Sequence, residues 1–224
     1  MTERENTEAC TTTAIPRHTW QRRKHARPAE IASAALASFA ENGYAATTMA
    51  DVASRAGITK GTIYLYYPNK EELFNALVRE HIAEKLAAKI VLLSEANHDI
   101  LAAIKGSFDI ITDMILTEEA FVLGRIITTE SGRFPGMVQF WRQEVVDRLL
   151  IRFSTLMQHG SEEGVINIIE PKAAALLCLA PTLQSLVWRS TFRLDDNDFH
   201  NAREVLVRQH SLIIRGLVNG AMKS

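Results

Sequence analysis

The sequence predicts an all-α protein, and three observations carry that prediction. Apolar residues recur at three- and four-residue intervals from Ile31 almost to the C-terminus, the spacing of one helix face. No segment alternates convincingly with period two; 164–169 comes closest. The interruptions fall on residues that stop helices: Asn42-Gly43, Gly57, Pro68-Asn69, Ser131 to Pro135 and Gly160 to Pro171.

Taken in order, residues 1–26 show no hydrophobic period, carry Pro16 and end in Arg22-Arg23-Lys24, which predicts a flexible basic arm. A first helix opens at Pro28, since proline fits a first helical turn without loss. It presents Ile31, Ala35, Leu36 and Phe39 on one side and closes at Gly43. Thr48 caps a short second helix, Met49 to Ala56, with Asp51 as reciprocal partner. Gly57 ends it, and Thr59 caps a third helix that runs to about Tyr66. From Glu71 a longer helix carries Leu73, Phe74, Leu77, Val78, Ile82 and Leu86 as a stripe. Further helices are predicted near 100–116, 121–130, 137–159, 172–192 and 199–218, with Pro181 kinking the penultimate one. The division expected is an arm (1–26), a small helical domain (27–72) and a larger helical domain (73–224).

Composition sets the bounds. At 224 residues the chain can build one large domain or a small one beside a mid-sized one. Hydrophobic residues at 47% with 23% charged exclude wholesale disorder. Cys10 and Cys178 are too few for a disulfide framework or a four-ligand zinc site, and so suggest a reducing compartment. The polar, acidic opening residues do not resemble a signal peptide. The apolar run Ala173 to Pro181 falls well short of the roughly 20 residues that span a bilayer. A cytoplasmic protein without membrane contact is expected. Charge is uneven: eight basic and three acidic residues between Arg17 and Lys70 make that segment +5, leaving −6 elsewhere. A basic end on an acidic molecule favours one docking face for a polyanion.

Thr48 to Lys70 carries the function. Two short helices joined by a glycine-containing turn form a helix-turn-helix, whose second helix can enter the major groove. Ala53 is small where the helices approach, and Val52, Ile63 and Phe39 supply a small core. The outer side of the second helix gathers Thr59, Lys60, Gly61, Thr62 and Tyr64. Lys60 can donate to guanine O6 and N7, and Gly61 lets the backbone come close. Thr48, Thr59, Tyr66 and Lys70 suit phosphates.

The strings Thr47-Thr48-Met49-Ala50-Asp51-Val52-Ala53, Ala56 to Tyr64 and Tyr67-Pro68-Asn69-Lys70-Glu71-Glu72-Leu73 together resemble the DNA-binding signature of the tetracycline-repressor (TetR) family. The resemblance covers roughly Pro28 to Leu77. It implies that Lys60, Gly61 and Tyr64 lie over base edges while Thr48, Thr59, Tyr66 and Lys70 grip the backbone. Tyr66 stands where many members carry histidine.

The resemblance further implies a ligand-sensing, dimerising domain downstream. Phe108, Ile111, Met114, Phe121, Met137, Phe140, Trp141 and Trp188 are the expected walls of a cavity, suited to a hydrophobic inducer. Arg125, His159 and Arg189 are candidates for polar selectivity or for capping. Leu176, Ala180, Leu183 and Val187, with Val205, Leu206, Leu212 and Ile213, form the expected face of a four-helix bundle in a homodimer. Cys178 in an apolar run, histidines without a ligand pair and the lack of a phosphate-cradling glycine loop argue against catalysis, metal and cofactor. The expected function is a ligand-responsive regulator, a repressor, that binds a near-palindromic double-stranded operator as a dimer. The alternative is a nucleoid-associated or scaffolding protein of the same fold that ignores ligand.

Overall fold

The computed structural model describes residues 17–96, 99–168, 170–192 and 202–221. Its elements are α1 (Arg17–Asn42), α2 (Met49–Arg55), α3 (Lys60–Tyr66), α4 (Lys70–Val78), α5 (Glu84–Ala96), α6 (Ile100–Ile115), α7 (Glu118–Glu130), α8 (Pro135–Trp141), α9 (Asp147–Glu162), α10 (Pro171–Phe192) and α11 (Ala202–Ala221). No strand occurs among the described residues, and Val165 to Ile168 are turn and coil. Two single π-helical turns, Arg79–Ala83 and Arg142–Val146, join α4 to α5 and α8 to α9. They therefore make two long continuous rods.

Five helices start on a side-chain cap. Thr48 and Asp51 form the reciprocal pair at α2, and Thr59 accepts the Thr62 amide at α3. Asn69 accepts the Glu72 amide at α4, Asp99 that of Leu101 at α6, and Thr117 that of Ala120 at α7. Gly43 and Gly57 close α1 and α2 with φ of 78° and 64°, values that residues with a Cβ rarely adopt. Helix α1 begins at Arg17 rather than Pro28, so the last ten residues of the expected arm continue the helix with Pro28 inside it. The rest of that arm, including Cys10, lies outside the described residues. Helix α7 begins three residues before Phe121, because Thr117 caps it.

The core is nearly continuous from head to tail. Ile31, Phe39, Val52, Ala53 and Ile63 close the three-helix head, and Leu73, Phe74, Leu77 and Val78 of α4 seal it. Helix α4 also packs on α7 and α8, while α9 and α10 pack along each other and α11 lies on α6 and α10. The head thus shares its core with the rod that leads into the larger domain.

Candidate nucleic-acid interface and sensor cavity

Helix α3 has one buried side chain, Ile63, which turns everything else outward. Lys60, Gly61 and Tyr64 are exposed together near its start, and Tyr66 is exposed at its end. Leu65 is 84% exposed, an apolar side chain left in water by a seven-residue helix. Thr62 is half-buried, with its hydroxyl 2.9 Å from that of Thr59. The candidates for base reading therefore share one unobstructed face.

The candidates for phosphate contact divide. Thr59 and Tyr66 are exposed. Thr48 gives its hydroxyl proton to Asp51 Oδ2 at 2.7 Å and its amide proton to the same oxygen at 2.8 Å. These bonds hold the Asp51 carboxyl below the usual carboxylate range. Lys70 departs furthest from its expected part. Its Nζ donates to the carbonyls of Tyr44 (2.6 Å), Thr47 (2.7 Å) and Ala45 (3.2 Å), which occupies all three ammonium donors. The ammonium also lies 4.4 Å from the Tyr44 ring centroid, and burial lowers its pKa. Lys70 clasps the α1–α2 loop instead of standing clear for a phosphate, because that loop turns its carbonyls toward the start of α4. Arg55, counted toward the basic end, pairs with Glu41 through both guanidinium nitrogens.

The same loop receives the larger domain. The Tyr44 ring is buried against Phe39, Phe74 and Phe134, with centroids 5.2, 5.8 and 5.0 Å away. Arg125 of α7 donates to the carbonyls of Ala40 (3.0 Å) and Phe39 (3.4 Å), capping the end of α1 across the domain boundary. Capping was one of the two roles expected of Arg125. Tyr44 had no signal in the sequence beyond being an aromatic beside a turn.

The larger domain holds a half-open cavity of about 70 Å³ lined by Ile82, Ile111, Met114, Trp141, Val145, Leu149, Leu179, Thr182, Leu183 and Leu186, among others. Both π-helical turns contribute, through Ile82 and Val145, and they pack on each other. Of the eight expected wall residues, Ile111, Met114 and Trp141 are present. Phe108 instead stacks on the His210 ring and packs on Phe153, and Met137 is buried in the main core. Phe140 lies under the Arg79 guanidinium, and Phe121 under that of Arg189. Trp188 lies on an outer groove between α10 and α11. A wider cleft of about 290 Å³ opens between α1 and α7, lined by Ser33, Glu80, His81, Glu118 and Glu119 among others.

The residues of the expected dimer face divide by exposure. Leu176, Ala180, Leu183, Val187, Val205 and Leu212 stand in solvent in the single chain. Leu206 does not: it is 1% exposed, packed with Ile115 and Leu186, because it lies on the α11 side that faces α6 and α10. Ile213 is half-buried against the main core.

Comparison with known proteins decides the family. Residues 31–77 match the model described as bacterial regulatory proteins, tetR family, and residues 107–210 match that of the AefR-like transcriptional repressor C-terminal domain. The HTH-type transcriptional regulator YfiR of Bacillus subtilis is 31% identical over 159 residues, which cover 67% of this chain and 73% of the relative. The chain belongs to the TetR family. This TetR-family protein is a DNA-binding transcriptional regulator and not an enzyme. Its fold matches the fatty acid degradation regulator FadR of Bacillus halodurans with a TM-score of 0.71 at 21% identity, over 85% of this chain and 96% of that one. It also matches the ketosteroid transcriptional regulator of Mycobacterium tuberculosis with a TM-score of 0.66 at 23% identity, over 86% and 95%. Among the described residues of this regulator no helix is long and apolar enough to cross a membrane, and no cluster could hold a metal ion.

Proposed function

We propose that this regulator is a ligand-responsive repressor that acts in the cytoplasm as a homodimer on a near-palindromic operator. One observation carries the reading: the helix that seals the head continues through a π-helical turn whose Ile82 forms part of the cavity wall. An occupant of the cavity would press on the same rod that positions α3. A preference for one setting of that rod would couple occupancy to operator affinity, since coupling is differential affinity for two states.

The remaining parts have separate support. The exposed leucines and valines of α10 and α11 form an apolar face that a second copy would cover. Two heads related by a twofold axis would place their α3 helices in successive major grooves about 34 Å apart. Lys60, Gly61 and Tyr64 then meet base edges, with Thr59 and Tyr66 beside the phosphates. Repression, rather than activation, follows the description of the matching C-terminal family model. An apolar inducer suits the lining, and two structural relatives are named for fatty acid degradation and ketosteroid transcription.

Selection from randomised duplexes, followed by binding of Lys60→Ala to the selected and to random DNA, tests the reading. Loss of about 1–3 kcal/mol on the selected site alone is expected of a base contact. Equal loss on both sequences would make Lys60 a phosphate contact, and selection of no sequence at all would overturn the operator reading.

A further inference from the structure

We propose that the molecule this cavity admits is neutral and mainly apolar with a single hydrogen-bonding oxygen, and that the Thr182 hydroxyl recognises that oxygen. The inference rests on the reading of the cavity as the inducer site.

No residue in the lining is ionisable. A carboxylate or ammonium group carried down among these side chains would shed hydration and meet no opposite charge, a penalty that is smaller for an uncharged polar group. Thr182 is the lining residue with a hydroxyl, and its position is favourable. Leu179, Thr182, Leu183 and Leu186 fall at helical spacing on one side of α10, and all four line the cavity. Yet Thr182 Oγ1 is sealed from solvent with no hydrogen-bond partner.

That state is unusual in this molecule. Ser38, Ser107, Thr155 and Ser211, also inside helices, each donate to the carbonyl four residues back. A buried hydroxyl left unpaired costs free energy that a partner would recover. At about 70 Å³ the cavity must widen for an occupant larger than a few atoms, since drug-sized sites run to about 300–1,000 Å³. Widening against α10 gives Oγ1 its partner, and because a hydroxyl both donates and accepts, a ketone or an alcohol serves.

Three probes of equal chain length separate the possibilities: 2-decanone, 1-decanol and decanoate, titrated calorimetrically at pH 7.5 into the full chain. The neutral pair should bind at least tenfold more tightly than decanoate. Thr182→Val, which keeps the shape, should weaken the neutral pair about fivefold to tenfold, as expected for one hydrogen bond, and Thr182→Ser should restore binding. Decanoate binding as tightly as 2-decanone overturns neutrality. It would direct attention to Arg152, one turn beyond Leu149 on α9, whose Nε is buried and unpartnered. Unchanged binding in Thr182→Val overturns the role of the hydroxyl. Ala120 also lines the cavity, and Ala120→Leu, which fills it, separates this proposal from the reading beneath it. Probes that bind Ala120→Leu undiminished lie elsewhere, and the inducer-site reading fails. Probes excluded by Ala120→Leu but indifferent to charge and to Thr182 defeat the present proposal alone, and failure of all three to bind the unaltered chain defeats both.

Discussion

The head and the larger domain are both helical, but they rest on different kinds of information. In the head, spacing alone tells which side chains of α3 face outward. A seven-residue helix with one buried side chain must expose the others, so a short ordered string specifies which residues face outward. In the larger domain the helices run to 22 residues and touch several neighbours each, so the same periodic stripe can face core, cavity or partner. Local sequence fixes direction where an element is short and has one neighbour. It leaves direction open where an element is long and has several.

The sharpest way to break this comparison lies on α11. Leu206 and Leu212 look alike as apolar residues of one helix, yet one is sealed inside and the other is 66% exposed. Leu206→Arg should cost several kcal/mol by burying an unpaired charge, and should lose the cooperative unfolding transition. Leu212→Arg should leave the unfolding of the subunit intact and yield monomers in sedimentation. Identical behaviour of the two variants would show that the face assigned to the partner is wrong.

Lys70 tests the head in the same manner. Removal of its ammonium leaves three carbonyls of the α1–α2 loop without their charged donor, so Lys70→Ala should destabilise the protein by about 2–4 kcal/mol. Urea unfolding without DNA measures this directly. Were stability unchanged and only the salt dependence of DNA binding flatter by about one unit, Lys70 would be a phosphate contact and not a clasp.

These cases show what was legible. Helix order, most boundaries and, with α4–α5 and α8–α9 each taken as one rod, helix number followed from the 3.6-residue period and from Thr48, Gly57 and Thr59. Asn69, read as a breaker, is the N-cap of α4, a role that the spacing to Glu72 could have revealed. The cavity was less legible. Phe108, Phe140 and Trp141 are equivalent in pattern, and only tertiary packing sends one to a histidine ring, one beneath an arginine and one to the cavity wall. The Arg125 bridge to α1 spans 85 residues of sequence, beyond the reach of any periodic argument.

Acid provides a smaller test, confined to the larger domain. His210 is 4% exposed, with its ring stacked 4.1 Å from that of Phe108 and Nδ1 3.4 Å from the Thr112 hydroxyl. Burial lowers its pKa from 6.5 to about 4. The unfolded chain binds this proton as pH falls through about 6.5, and the folded chain resists until about 4. Stability present above pH 6.5 is therefore lost across that window, by roughly 3 kcal/mol at its lower end. His210→Phe should lessen the decline in the urea midpoint between pH 7 and pH 4.5. An equally steep decline in the variant would remove His210 as a source of acid sensitivity.

The smallest expected effect is on α3 itself, and there stability and binding should move in opposite directions. A Cβ built on Gly61 meets nothing closer than the Thr59 hydroxyl, at 3.9 Å, and the residue is exposed. The fold therefore has no steric need for glycine at this position. Gly61→Ala should stabilise the free protein by about 0.5–1 kcal/mol, the helical advantage of alanine. If the backbone of α3 approaches base edges closely at that position, the same methyl group should weaken binding to the selected operator. Stabilisation without weakening would mean that DNA does not come close to Gly61, and the base contacts would then have to lie further along α3, toward Tyr64.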